Sequence, residues 1–176
     1  MARGDTFFLR TNLTSSTTDY VSDNIDISAY TDPARGRVLV VDRCFITFDT
    51  DGNGPIIAAD VVASGTGSAN MGAQACSEKQ TGLVEMTNNS LFAKVNLYAA
   101  VSVAGVLTMV EETSALNPTE FKNGFIVPTD AIHCGIDTGT GMASSKELDV
   151  GFLFEVHTEK LSLSRIQELL VSLTAN

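Results

Sequence analysis

Residues 49–60 carry a run of oxygen-bearing side chains with the spacing of a metal-binding loop. The sequence D-T-D-G-N-G-P-I-I-A-A-D places Asp49, Asp51, Asn53 and Asp60 at positions 1, 3, 5 and 12 of this loop. Calcium is a hard cation that prefers carboxylate and amide oxygens at such spacing, and a glycine at position 6, here Gly54, permits the sharp bend. The spacing therefore predicts that these four side chains bind calcium, the one candidate cofactor in the sequence.

This pattern resembles the calcium loop of EF-hand and dockerin proteins, but it departs from that loop at two points. Asp60 closes the loop where a glutamate, with its longer reach, is usual. The preceding C-F-I-T-F is typical of a strand, whereas an EF-hand loop follows a helix. The alternative is a hairpin turn, in which aspartate, asparagine and glycine only supply the backbone conformations that a tight reversal needs. The sequence leaves both interpretations open.

The rest of the chain offers little that could carry catalysis. It has two histidines and contains no G-x-S-x-G motif, phosphate-binding loop or Cys/His metal array. His133 and Cys134 are neighbours on a predicted strand, so they point to opposite faces and cannot act together as base and nucleophile. His157 ends the last predicted strand, where we expect a partly exposed structural role. We therefore predict no catalytic residues, no organic cofactor and no enzyme activity.

Composition and charge bound the class of protein. A chain of 176 residues is most simply one domain, residues 1–176, with a substantial core. Its net charge is −10 and its 11 lysines and arginines are scattered, which argues against direct binding to nucleic acid. Only 18% of the residues are charged, against about 25% in typical soluble proteins. This deficit indicates a surface covered by copies of the same chain; the alternative is an ordinary β protein with a Ser/Thr surface.

Other features suggest where the protein is made. The sequence M-A-R-G-D-T-F-F-L-R lacks the apolar segment of a signal peptide, and no apolar run reaches membrane-spanning length. We therefore predict synthesis in a cytoplasm, without a signal peptide or membrane-spanning segment. The three cysteines, Cys44, Cys76 and Cys134, predict no disulfide framework, and Cys44 is expected to be a small buried hydrophobic residue.

Segments rich in apolar and β-branched residues predict about eight strands. They span 5–13, 20–30, 38–48, 56–63, 81–86, 91–113 with a break at Gly105, 124–136 with a break at Pro128, and 147–158. We interpret 38–48 and 56–63 as a central hairpin, and 64–80 and 137–146 as long loops. The pattern predicts an all-β, antiparallel two-sheet sandwich of the jelly-roll type.

A short helix is predicted at the end of the chain. Ser164 and Gln167 have the spacing of a capping box. Ile166, Leu169, Leu170 and Leu173 follow at helical spacing. The helix is amphipathic, and we expect it to pack on the sheet of its own chain in preference to a neighbouring copy.

Three features together resemble a known family: the opening F-F-L-R strand, the strand series, and the last strand E-L-D-V-G-F-L-F-E-V running into a short helix. They are similar to the small single jelly-roll major capsid proteins of tailless icosahedral DNA viruses of archaea and bacteria. The resemblance implies a virion protein whose upright jelly rolls pack into pseudo-hexameric capsomers around a genome and an inner membrane. Its partners would be copies of itself and a second coat protein. We predict 64–80, 137–146 and the terminal helix as contact regions.

Two other functions remain as alternatives. The first is a calcium-dependent binding or adhesion module, such as a carbohydrate-binding or extracellular filament-forming sandwich, which would use the four loop residues. The missing signal peptide counts against it. The second is a jelly-roll enzyme of the cupin type, which would need clustered histidine and carboxylate ligands. Because the chain has only two histidines, we rank the cupin-type enzyme last.

Overall fold

The computed structural model describes residues 4–15, 19–50, 56, 62, 67–101, 107–139 and 147–173. This part of the chain forms nine β-strands and one α-helix. In chain order they are β1 (Phe7–Thr14), β2 (Val21–Asp26), β3 (Arg37–Thr50), β4 (Gly67–Cys76), β5 (Leu91–Val101), β6 (Leu107–Leu116), β7 (Phe125–Val127), β8 (Ala131–Thr138), β9 (Leu148–Lys160) and α1 (Leu163–Leu173). Two 3-10 helices, Pro33–Arg35 and Pro118–Glu120, follow β2 and β6.

The strands form two antiparallel sheets with jelly-roll topology. The first sheet has the order β1-β9-β3-β7 and the second has the order β2-β8-β4-β5-β6. If β6 is set aside as an added edge strand, the strands associate from the outside of the sequence inward, with β1 beside β9, β2 beside β8, β3 beside β7 and β4 beside β5. This is the double Greek-key arrangement of a jelly roll. The predicted fold class, including the short C-terminal helix, is confirmed.

The core between the sheets is built from the alternating faces of the strands. On β9, every second residue from Leu148 to Val156 is buried, as the period of two in the sequence predicts. The rings of Phe154 and of Phe92 on β5 lie edge to face at 6.1 Å, and Phe152 stacks with Phe154 at 6.3 Å. Aromatic side chains therefore fill the space between the two sheets.

The predicted long loop at 64–80 is wrong. Its residues from Gly67 to Cys76 form β4, which lies between β8 and β5 in the second sheet, and the run from Met71 to Cys76 is buried. A residue without a side chain is needed at Gly72 because the segment 77–90 crosses the outer face of the sheet there. A Cβ atom on Gly72 would collide with the side chain of Leu83. The predicted strand at 81–86 is also wrong, since those residues belong to this irregular crossing segment.

The predicted central hairpin is only partly observable. The strand at 38–48 is confirmed within β3, whose neighbours in the described chain are β9 and β7. The predicted partner strand at 56–63 lies outside the described residues, except for Ile56 and Val62. The break at Pro128, expected at an edge or bulge, separates β7 from β8. The chain therefore changes sheets at this proline, and one predicted strand is in fact two.

The terminal helix packs on its own chain, as predicted, but it begins earlier. The side chain of Ser162 accepts a hydrogen bond from the Arg165 amide at 3.3 Å, so Ser162 caps the helix in place of the predicted Ser164. Ile166 and Leu173 are buried. In the described chain, no helix has both the length and the apolar composition needed to cross a bilayer.

Candidate functional site

The structure describes only one of the four predicted calcium ligands. Asp51, Asn53 and Asp60 lie outside the described residues. Asp49 lies near the end of β3, directly opposite Asp149 on β9. β1 pairs with β9 along the edge opposite to β3, and the hydroxyl of Thr14 on β1 donates a 2.7 Å hydrogen bond to the Asp149 carboxylate.

The pairing of Asp49 with Asp149 has an electrostatic consequence. Like charges on directly opposed residues of an antiparallel pair destabilise a sheet, and a cation between them would relieve the repulsion. The described residues contain no group of three or more His, Cys, Asp or Glu side chains that could hold a metal ion. The calcium site therefore stays a prediction that would need the ligands at 51–60.

A second feature, which we call the aromatic–arginine face, lies on the outer surface of the first sheet. It consists of Phe8 and Arg10 on β1, Arg43 and Phe45 on β3, and Leu153 on β9. Leu153 is the cross-strand neighbour of both Arg10 and Phe45. The side chains of Phe8 and Phe45 are 57% and 49% exposed, which is unusual for such large apolar groups. Aromatic residues and arginine are the residue types enriched where proteins bind one another.

A β-bulge creates this face. The register between β3 and β9 shifts between Val41 and Arg43, so Asp42 is an extra residue in β3. Before the bulge Leu39 and Val41 point into the core, and after it Cys44 does. The shift therefore turns Arg43 and Phe45 outward, whereas uninterrupted alternation from Val41 would point them inward.

The bulge also gives His157 a partner. The Nδ1 atom of His157 lies 2.7 Å from an oxygen of the Asp42 carboxylate. His157 is only 4% exposed, so the prediction of a partly exposed residue is wrong. At the bulge, β3 brings Asp42 within hydrogen-bonding distance of this buried ring. The predicted structural role fits this buried pairing.

A polar cavity of about 350 Å³ lies at the β2 side of the second sheet. Its lining includes Asp23, Cys76, Lys79 and His133. Burial, reinforced by the charge of Lys79, lowers the pKa of His133, and burial raises the pKa of Cys76 to about 12. Cys134, in contrast, points into the core, where burial raises its pKa. His133 and Cys134 therefore lie on opposite faces, and the thiols stay protonated near neutral pH.

Comparison with known proteins gives no family assignment. No protein-family model matches the chain, and no curated protein matches it. Among solved structures, the chain is similar to one from Desmodium yellow mottle tymovirus, with 10% identity, a TM-score of 0.34 and coverage of 90% of both chains. For one from turnip yellow mosaic virus the identity is 7% and the TM-score 0.31, and the match covers 89% of this chain and 95% of the viral chain. For one from nora virus the identity is 12% and the TM-score 0.33, and the match covers 88% of this chain and 57% of the nora virus chain.

The aromatic–arginine face was not anticipated from the sequence. The run R-V-L-V-V-D-R-C-F has the apolar, β-branched composition of one regular strand. Its signal is the adjacent charged pair Asp42-Arg43, because two successive polar residues inside an apolar strand break the alternation of faces and indicate a bulge.

Proposed function

We propose that this chain is a self-assembling structural protein, specifically a coat protein that forms viral capsomers. The observation that carries the proposal is the jelly-roll order of the two sheets. This fold occurs in viral capsid proteins, lectins and cupins. A cupin binds its metal and substrate inside the sandwich, whereas Phe92, Phe152 and Phe154 fill the interior here. The proposal includes no catalytic role.

The outer surfaces support an assembly function. Large apolar side chains are exposed on both sheets and on α1, with Phe8 and Phe45 on the first sheet, Tyr98 on the second and Val171 on the helix. Obligate interfaces bury about 2,000 Å² or more and are more apolar than ordinary protein surface. A chain with only 18% charged residues has a composition suited to such contacts.

The finer parts of the proposal follow from the resemblance to the single jelly-roll capsid proteins of tailless icosahedral DNA viruses. From this resemblance we propose that the chain forms pseudo-hexameric capsomers, that a second coat protein is its partner, and that it is located in the virion. The net charge of −10 suits a shell protein that does not hold DNA itself. The terminal helix, which exposes Leu163 and Val171, remains a proposed contact. The segment 64–80 is no longer proposed as a contact, because most of it forms β4, which is largely buried. Residues 140–146 of the other predicted contact loop lie outside the described chain.

Calcium binding is a separate proposal, supported by the loop spacing at 49–60 and by the opposition of Asp49 and Asp149. Bound calcium would stiffen the end of the sandwich where β3 ends and β9 begins. In the alternative function, a calcium-dependent adhesion or carbohydrate-binding module, the same ion would hold a ligand.

Electron microscopy of the purified protein, combined with sedimentation analysis over a range of concentrations, tests the coat function. We expect closed shells, capsomers or regular arrays whose abundance rises with protein concentration. A monodisperse monomer at every concentration would contradict assembly by this chain. A monomer that binds calcium or glycans would favour the adhesion module.

A further inference from the structure

The aromatic–arginine face carries positive charge within a strongly acidic chain. Arg10 and Arg43 are exposed on it, and the one acidic side chain between them is Glu155, which pairs with Arg43 at 3.6 Å. Arg43 keeps 58% of its side chain exposed in that pair. The centre of the face therefore combines two guanidinium groups with two exposed phenyl rings, while the whole chain has a net charge of −10.

An acidic surface lies along β2, which forms one edge of the second sheet. Residues 19–30 contain Asp19, Asp23 and Asp26 and no lysine or arginine, and the three aspartates are exposed. The Ser28 amide donates a hydrogen bond to Asp26 and lowers its pKa, so this carboxylate is charged at neutral pH. Val21 and Ile25 on the same strand pack against the core and keep part of their surface exposed. We call residues 19–26 the acidic edge.

We propose that the aromatic–arginine face of one copy docks on the acidic edge of a second copy. The contact deepens the proposed coat function and rests on it. Arginine forms strong, directional hydrogen bonds with carboxylates, so Arg10 and Arg43 meet the aspartates of the edge. Phe8 and Phe45 add apolar contact area beside these charged groups. Aromatic and arginine residues are the ones that dominate the binding energy of interfaces.

The position of the two surfaces permits repeated contacts. β1 is the edge strand of the first sheet, β2 is the edge strand of the second sheet, and the two strands lie in contact at one side of the sandwich. The face and the edge are different surfaces, so the contact is head to tail and leaves both copies with one unused surface. Such contacts close into rings when the rotation between copies allows it.

Charge exchange between the two surfaces tests the contact. One variant carries Arg10→Glu and Arg43→Glu, and the other carries Asp23→Lys and Asp26→Lys. We expect each variant alone to lose assembly, because its own face and edge then repel. In a mixture, the acidic face of the first variant meets the basic edge of the second, while the unaltered face and edge of the two variants still match. The mixture should therefore recover assembly.

Controls separate folding and total charge from the contact. The variant Arg35→Glu with Lys122→Glu changes the net charge by the same amount as Arg10→Glu with Arg43→Glu, at exposed sites outside both surfaces, and it should assemble like the wild type. Unfolding midpoints of all variants should stay near that of the wild type. A second variant, Phe8→Ser with Phe45→Ser, should lose assembly and should gain nothing from mixing with either charge variant.

The outcomes distinguish the contact from the coat function. Failure of the wild type to assemble overturns the coat function and the contact with it. Assembly of both charge variants at wild-type levels overturns the contact alone. Loss of assembly without recovery in the mixture also overturns it, because the face would then contact a surface of the neighbouring copy other than the acidic edge.

Discussion

The side-chain amide of Gln74 donates a 3.0 Å hydrogen bond to the hydroxyl of Tyr20, across the outer face of the second sheet. The same amide donates to the carbonyl of Gly82 and accepts from the amide of Val84, each at 2.8 Å. Gln74 is 1% exposed, so these bonds form in a dry environment where each is costly to lose. One side chain of β4 thereby holds both the start of β2 and the crossing segment 77–90 on the sheet.

The tyrosine reaches Gln74 because Gly135 leaves room for it. A Cβ atom at residue 135 would overlap the ring and hydroxyl of Tyr20. We expect Gly135→Ala to displace the ring and to lower the free energy of unfolding by about 1–3 kcal/mol, the usual cost of overpacking. Denaturant unfolding measures the loss. Gly82→Ala is the matched control, since its Cβ would have no atom within 4 Å; an equal loss in both variants would argue against the Tyr20 contact.

Replacement of Gln74 by leucine should destabilise the fold more strongly. The change keeps the volume but leaves the Val84 amide, the Gly82 carbonyl and the Tyr20 hydroxyl without this partner, at about 2–4 kcal/mol in total. Hydrogen exchange should show faster exchange at Val84 than in the wild type. The control Gln167→Leu, at an exposed helix position, should cost less than about 0.5 kcal/mol. A loss below that level at Gln74 would contradict the network.

The position of the helix cap gives a direct comparison between sequence and structure. Ser162→Ala removes the acceptor for the Arg165 amide, and we expect it to cost about 0.5–2 kcal/mol. Ser164→Ala, at the cap predicted from the sequence, should be nearly neutral because alanine favours a helix. Thermal unfolding of the two variants checks this order. A larger loss of stability for Ser164→Ala than for Ser162→Ala would indicate that Ser164 caps the helix, as the capping box predicts.

The buried cysteines make stability depend on alkaline pH. Burial raises the pKa of Cys76 from 9.0 to about 12 and raises the pKa values of Cys44 and Cys134. A raised folded-state pKa contributes stability that is present below the unfolded-state pKa and is lost as the pH rises toward the folded-state value. We therefore expect the melting temperature to fall from about pH 9 upward. The loss should be smaller in Cys76→Ala, and an unchanged slope in that variant would contradict the contribution of this thiol.

The calcium proposal makes its own prediction. Titration calorimetry of the wild type with calcium should give heat, and Asp49→Asn should weaken binding at least about tenfold because a charged ligand is removed. Asp149→Asn tests whether the opposing carboxylate participates, and Asp130→Asn, at an exposed position far from this loop in the sequence, should change nothing. Absence of heat at millimolar calcium would contradict calcium binding and favour the alternative, in which residues 49–60 form a hairpin turn without a metal.

Local patterns determined much of the fold. The period of two in β9 identified its buried face, and the apolar spacing after Ser162 identified the helix, because each pattern reflects the geometry of one element. The strand count and turn signals were sufficient for a jelly-roll sandwich. The same local spacing supplied the calcium prediction at 49–60.

Contacts between distant segments decided the rest. The small residues of β4 suggest a loop until segment 77–90 is seen to cover Gly72, and Pro128 suggests a bulge until its flanking strands are assigned to different sheets. The outward direction of Phe45 depends on the bulge at Asp42, and that bulge also brings the Asp42 carboxylate to His157. These features follow from register and from covering segments, which join residues far apart in the chain. The sequence by itself determined the strands and the helix; the pairing of the strands decided which surfaces they expose.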